Sequence, residues 1–251
     1  IGFALAKQFG NDGAKIVIAG RRQNKVDASV DKLKEMGIEA SGTSCDVSKF
    51  EDVETLADFA WSTYGQCDVI VNNAGVSQNF RPVIDMPMEE YRNIMDINFY
   101  GAVHGIKVFG KRFIEQGTPA AIYTVGSENS LYKFVPQSCA YGASKHAIHT
   151  VCDMLREEVP NFIDVSLICP GYVTSEMTES VAPGMDTDKY AELVMKQLKR
   201  GDFYVVSHAY NMVRIQERHD EIKNAYAKVA PRYVGDDEYD VRCMVEKMPE
   251  Q

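Results

Sequence analysis

Short apolar runs alternate with longer polar stretches along this chain, and the two carry different periods. Residues 15–19 (KIVIA), 68–72 (DVIVN), 121–125 (AIYTV) and 164–169 (DVSLIC) are nearly continuous apolar runs of strand length. Such runs suit strands buried on both faces of a parallel sheet. Residues 40–47 and 203–207 are further strand candidates. Between the runs, apolar residues recur at helical spacing over 24–36, 51–64, 88–116, 141–158 and 187–200. The long stretch 88–116 is expected to break near Asn98. Residues 1–9 (IGFALAKQF) read as an amphipathic helix already under way, with no capping residue before it. Strands alternating with helices predict an α/β fold built on a doubly wound parallel sheet. No repeat or long linker divides it, so a single domain over 1–251 is expected. From residue 209 the chain reads as a variable C-terminal extension: a surface helix, then the acidic run Asp236-Asp237-Glu238.

Charge and composition narrow the partners. The 251 residues carry 27 Lys+Arg against 36 Asp+Glu, a formal net charge of -9. That balance repels polyanions and argues against nucleic-acid or anionic-membrane partners. A small polyanion such as a dinucleotide stays possible, because local donors outweigh a distant net charge. No apolar run approaches the roughly 18 residues of a membrane span. The six cysteines show no paired spacing, which fits a reducing, cytoplasmic setting. His146 and His149 lie three apart without a third ligand at zinc-like spacing, so no metal site is expected.

The sharpest chemical signal is Tyr141-Gly142-Ala143-Ser144-Lys145 at the start of a predicted helix. Positions i and i+4 share a helical face, so the Lys145 ammonium can sit beside the Tyr141 phenol. A neighbouring cation favours the phenolate and makes a group with a reference pKa of about 10 usable as an acid or base. Asn72-Asn73-Ala74-Gly75 closes a buried strand, where open α/β sheets bind ligands.

In order along the chain, Ile1-Gly2, Asp46-Val47, the NNAG run, Asn98, Ser127, Tyr141 with Lys145, and Pro170-Gly171 resemble the short-chain dehydrogenase/reductase family, over residues 1 to about 177. The resemblance implies a Rossmann-like fold and an NAD(P)-dependent oxidoreductase moving hydride between nicotinamide and a carbonyl or secondary alcohol. It makes Tyr141 the acid/base, with Lys145 lowering its pKa and binding the nicotinamide ribose. Ser127 would hydrogen-bond the reacting oxygen, and Asn98 would hold a water for proton relay. Ser127 lies fourteen residues before Tyr141, one more than the family's usual gap, where Glu128 stands. Ser130 is a second candidate for the serine.

For the cofactor, the resemblance implies that Ile1, Gly2, Asn73, Ala74 and Gly75 flank the dinucleotide, that Asp46 and Val47 face its adenine, and that Pro170, Gly171, Val173 and Ser175 hold the carboxamide. Arg21 and Arg22 follow the strand at 15–19, where an acidic residue would select NAD; arginine there favours NADP, with NAD the alternative. Only the end of the glycine-rich turn is present and the strand before it is absent. The chain is therefore expected to be a fragment, truncated at its N-terminus, that binds dinucleotide poorly. Residues 173–190 are expected to form a substrate flap with Tyr172, Met177 and Met185. With Phe80, Tyr132 and Phe134 in nearby loops, they point to a hydrophobic or aromatic carbonyl or alcohol. The helices at 98–116 and 141–158 pair subunits in the family, implying a homodimer or homotetramer. Two other readings stay open: a catalytically inactive cofactor-binding regulator or scaffold of the same fold, and an epimerase or dehydratase of the extended branch.

Overall fold

A computed structural model describes residues 1–132, 136–175 and 183–242. The chain divides into two compact units, Ile1–Ala209 and Tyr210–Gln251. The first unit holds all the strands. It opens with α1 (Gly2–Asn11), followed by β1 (Ile16–Gly20), α2 (Gln23–Glu35), β2 (Ala40–Ser44), α3 (Phe50–Tyr64) and β3 (Val69–Asn72). Next come α4 (Met88–Met95), a π-helical turn (Asp96–Tyr100), α5 (Gly101–Gln116), β4 (Ala120–Val125) and α6 (Cys139–Glu158). The unit ends with β5 (Ile163–Cys169), α7 (Thr187–Leu198) and β6 (Tyr204–Val206). Gly65 and Gly117, both left-handed, close α3 and α5, as glycine does where a helix must stop sharply.

All pairings are parallel. β3, β4, β5 and β6 are neighbours in that order, with Ile122 opposite Val165 and Ile168 opposite Val205. Every residue of β4 is buried, as its unbroken apolar run predicts. Alternate residues serve opposite faces. Ala121, Tyr123 and Val125 join Leu5 of α1 and Val194 of α7, whereas Ala120 and Ile122 join Ala57 of α3 and Phe109 of α5. Helices thus cover both faces of the sheet.

The strands fall into two parallel sheets. β1 and β2 form a separate two-stranded parallel sheet, and no pairing joins β1 to β3. A cavity of about 670 Å³ lies between them, lined by Val17 and Ile18 of β1, Val69 and Val71 of β3, Phe9 of α1 and Phe109 of α5. Paired strands lie ~4.8 Å apart, and the cavity keeps these two edges beyond that reach.

The second unit contains α8 (Asn211–Val229), which buries none of its residues, and a 3-10 turn at Asp236–Tyr239. There the Arg232 guanidinium grips the Asp236 carboxylate with two hydrogen bonds, at 2.5 and 2.7 Å.

Candidate active site

Tyr141 and Lys145 stand one turn apart near the start of α6. Lys145 is 4% exposed, and its ammonium donates to the Val125 carbonyl at the end of β4, 2.8 Å away. The same nitrogen lies 5.8 Å from the centre of the Tyr141 ring. Burial pushes the lysine down to about 8, because the cation loses more than the neutral amine on leaving water. Tyr141 moves upward. Burial of the phenolate is the main cause, a hydrogen bond with the Ser127 hydroxyl opposes it, and the Glu128 charge adds to the rise. The resemblance implies that Lys145 lowers this pKa; in the structure burial outweighs the groups that lower it.

Beyond β4 the chain turns through a short 3-10 segment, Glu128–Ser130. Ser127 and Ser130 form a reciprocal capping box: the Ser127 hydroxyl accepts from the Asn129 amide, and the Ser130 hydroxyl accepts from the Ser127 amide, both at 3.1 Å. Ser127 is the serine whose hydroxyl also meets the Tyr141 phenol. Ser130 is turned toward the backbone, and its carbonyl lies 3.0 Å from His149 Nδ1. Glu128 is a further polar residue of this turn that the motifs do not single out. It is 7% exposed, its amide donates to the Pro170 carbonyl, and its charge reaches the phenol. It stands thirteen residues before Tyr141, at the gap the family's serine usually takes.

Asn98 sits in the π-helical turn, a wide turn often found at functional sites. It is 1% exposed and clamps Val76: its Oδ1 accepts from the Val76 amide at 2.8 Å, and its Nδ2 donates to the Val76 carbonyl at 3.0 Å. The second Nδ2 hydrogen goes to Ser144 Oγ at 3.1 Å. Both amide hydrogens are committed, so the side chain pins the loop after Gly75. Close packing brings α5 against the end of β3 and against Val47. A Cβ on Gly105 would stand 1.9 Å from Asn72 Oδ1, and one on Gly101 would stand 2.6 Å from Val47 Cγ2.

The residues expected around the dinucleotide fall into three groups. Gly2 lies against Asn73, where a Cβ would come within 2.6 Å of Asn73 Nδ2. Ile1 caps α1 without a side-chain bond, and no acidic residue stands in the first turn. The first N–H groups of α1 therefore have the polarity an anionic pyrophosphate requires. Gly75 borders Asn98 and Lys145, and a Cβ there would lie 3.4 Å from Asn98 Oδ1 and 3.7 Å from the Lys145 ammonium. Space beside the two polar groups is thus kept open by the missing side chain. Ala74 lines the cavity between β1 and β3 together with Asn73.

Arg21 and Arg22 are exposed just past β1. Arg21 does not stand clear of carboxylates. Burial raises the Asp46 carboxyl, but the Ser48 hydroxyl and amide, with Arg21 and Lys49, bring it below its usual range. The Val47 carbonyl is held by His104 Nδ1 at 2.8 Å. At the other end, the Gly171 amide donates to Ser207 Oγ at 3.3 Å, and Val173 bridges Met185. Thr174 Oγ1 accepts from Gly184 N at 3.0 Å, which ties the two ends of the expected flap together beside Ser175. Residues 187–190 of that flap belong to α7, and residues 176–182, with Met177, lie outside the described residues, as does Phe134. Phe80 is exposed and Tyr132 is buried. These groups fit a dinucleotide: an uncapped helix start, a glycine-lined space at Lys145, and an exposed guanidinium beyond β1.

Among the described residues, no helix is long and apolar enough to cross a membrane, and the five cysteines are free thiols.

The model of the short chain dehydrogenases matches residues 1–186. The chain is 32% identical over 232 residues to 1-deoxy-11-beta-hydroxypentalenate dehydrogenase of Streptomyces exfoliatus, covering 88% of this chain and 84% of that protein. It is 34% identical over 189 residues to the uncharacterized oxidoreductase YxnA of Bacillus subtilis, covering 74% of this chain and 52% of that one. Among solved structures, the apo form of LigD from Sphingobium sp. strain SYK-6 superposes with a TM-score of 0.82 at 27% identity, over 92% of this chain and 93% of that one. A short chain dehydrogenase/reductase from Burkholderia phymatum in complex with NAD shares the fold at 24% identity, with a TM-score of 0.81 over 93% and 94% of the two chains.

Proposed function

This chain belongs to the short-chain dehydrogenase family, and from that premise we propose that it transfers a hydride between NADP(H) and a carbonyl or secondary alcohol, with Tyr141 exchanging the proton at the substrate oxygen. The observation that carries the reading is Tyr141 and Lys145 one turn apart on α6, with the ammonium 5.8 Å from the ring and the Ser127 hydroxyl near enough to lower the phenol's pKa. A bound nicotinamide supplies or accepts the hydride. In the reductive direction, negative charge grows on the carbonyl oxygen, and two hydroxyl donors fixed beside it stabilise that charge. Tyr141 then gives its proton to the oxygen and is left as a phenolate. Burial keeps the phenol protonated beforehand, which suits an acid. Lys145, the nearest cation, stabilises the phenolate until solvent restores the proton.

The α1 amides and Asn73 would hold the pyrophosphate, and Lys145 the nicotinamide ribose. Asp46 and Val47 would face the adenine, and Gly171, Val173 and Ser175 the carboxamide. Arg21, exposed beside Asp46, would pair with a 2′-phosphate, which supports NADP over NAD. The relative from S. exfoliatus is named for a hydroxy compound. For this chain the class proposed is an alcohol or ketone on a hydrophobic frame.

The test is nicotinamide absorbance in the purified full-length protein, followed with NADPH or NADH against cyclohexanone, acetophenone and α-tetralone, and with the oxidised cofactors against the matching alcohols. Turnover with NADPH that is lost in Tyr141→Phe is expected. Equal turnover in that variant would overturn the mechanism, and cofactor binding without turnover across a wider panel would favour the regulator.

A further inference from the structure

The first N–H groups of a helix have no acceptor within it and must find one elsewhere. In α6 the first backbone bond of the helical ladder runs from Gly142 N to Ser138 O, at 2.9 Å, and the N-cap residue Ser138 makes no side-chain cap bond. The amide of Tyr141 is one of the three left over. Its acceptor comes from 63 residues earlier in the chain: Tyr141 N donates to Gln78 Oε1 at 2.8 Å. Gln78 is 8% exposed, and its other end donates from Nε2 to the Gln137 carbonyl at 2.9 Å. Met86 Sδ, a weak acceptor, is 3.8 Å from the same nitrogen.

Gln137 is the one non-glycine residue at positive φ among the described residues, at 70°. A side chain in that region is strained and persists only where the surroundings over-determine it. Here two donors converge on its carbonyl, Gln78 Nε2 and the Arg81 amide at 3.2 Å. One end of the Gln78 amide therefore fixes the approach to α6 and the other fixes its first turn. The orientation is unambiguous, since the oxygen faces an N–H and the nitrogen faces a carbonyl.

This clamp stands two residues after the first. Asn98 holds Val76, and Gln78 then holds Tyr141, so the loop after Gly75 is registered against both the π-helical turn and the tyrosine-bearing helix. We propose that Gln78 is a positioning residue for the proton-transfer step, setting the phenol of Tyr141 against Ser127 through the backbone of the first turn of α6. This inference rests on the reading of Tyr141 as the acid/base.

Two substitutions separate the parts of the clamp. Gln78→Met keeps the length and removes both polar ends. Gln78→Glu keeps an acceptor for the Tyr141 amide, but opposes the Gln137 carbonyl with a second acceptor until it is protonated. The test uses the full chain, without ligand, carrying 3-fluorotyrosine at position 141 and read by fluorine NMR, with amide hydrogen exchange over residues 139–142. In Gln78→Met, exchange at Tyr141 should quicken about tenfold or more while residues 148–155 of α6 keep their protection. The fluorine titration midpoint should rise by about half a pH unit or more as the Ser127 bond is lost. Gln78→Glu should show the wild-type signal only at acidic pH, where its carboxyl carries a proton and can again donate. Unchanged exchange and an unchanged fluorine midpoint in both variants would overturn the proposal. If those readouts move while Tyr141→Phe retains turnover, the clamp stands and the acid/base reading falls.

Discussion

The Lys145 ammonium is anchored on the Val125 carbonyl, 2.8 Å away, so the cation beside the phenol is held by the end of the central strand β4. That arrangement places a buried charge where its protonation should be measurable. Lys145 titrates near 8 when folded and at the ordinary lysine value of ~10.4 when unfolded. Between those values the unfolded chain binds more protons, so this residue makes the protein more stable as pH rises. Other groups titrate in the same window, and the comparison with Lys145→Met isolates this one. Wild type should gain about 3 kcal/mol relative to that variant between pH 7 and 10.5, measured by urea unfolding. A constant difference across the window would show that the lysine is not desolvated.

The two serines of the capping box should separate in kinetics. Ser127→Ala removes the bond that opposes the rise of the Tyr141 pKa, so the pH profile of turnover should shift upward and kcat should fall about a hundredfold. Ser130→Ala removes only the acceptor of the Ser127 amide and should cost about 1 kcal/mol of stability, with a smaller loss of rate. The reverse ranking would transfer the role to Ser130.

Asn98→Ala should leave both backbone groups of Val76 without the side chain that holds them. A loss of about 2–4 kcal/mol in urea unfolding is expected, together with faster amide exchange at Val76. Stability within about 0.5 kcal/mol of wild type would mean that solvent replaces the clamp at no cost.

Glycine-to-alanine changes inside helices usually stabilise by up to about 1 kcal/mol. At Gly105 the sign should invert, because the new methyl would overlap Asn72 Oδ1. We expect a fall in thermal midpoint corresponding to about 2–4 kcal/mol. Gly142→Ala, whose Cβ would meet nothing within 4 Å, is the matched control and should be neutral or stabilising.

Cofactor choice should move with Arg21. Arg21→Ala should weaken NADPH binding about tenfold or more, by calorimetry, and leave NADH within about twofold. Equal losses for both would return the residue to a general electrostatic role beside Asp46.

Much of this molecule was legible before any coordinates. The runs KIVIA, DVIVN, AIYTV and DVSLIC correspond to β1, β3, β4 and β5 within a residue or so at each end, because buried parallel strands need unbroken apolar sequence. The interruption near Asn98 was also legible, although its form as a π-helical turn was not. The separation of β1 from β3 could not be read from either strand, since each run looks the same whether or not its edge is paired. Gln78 stayed hidden for a different reason: a lone glutamine in a loop carries no periodicity, and its partners lie 59 and 63 residues away. The electrostatics of Tyr141 depended on how far the phenol is buried, which spacing alone does not give.

The π-helical turn has a consequence for helical phase. Ile94, Asn98, Ala102 and Ile106 are all buried, each four positions after the last. In a regular helix of 3.6 residues per turn, every four-residue step rotates a side chain about 40° off line, so three steps would sweep the row about 120° around the axis. The wider turn at Asp96–Tyr100 winds back part of that drift and lets one line of residues face the core from α4 through α5. Deleting a single residue within it would regularise the local backbone and keep that line: eleven residues at about 100° each bring Ile106 to nearly the same phase that twelve reach through the wide turn. Phe109 and Phe113 would then stay in the core, so this segment should tolerate the loss of one residue other than Asn98 far better than a regular helix would.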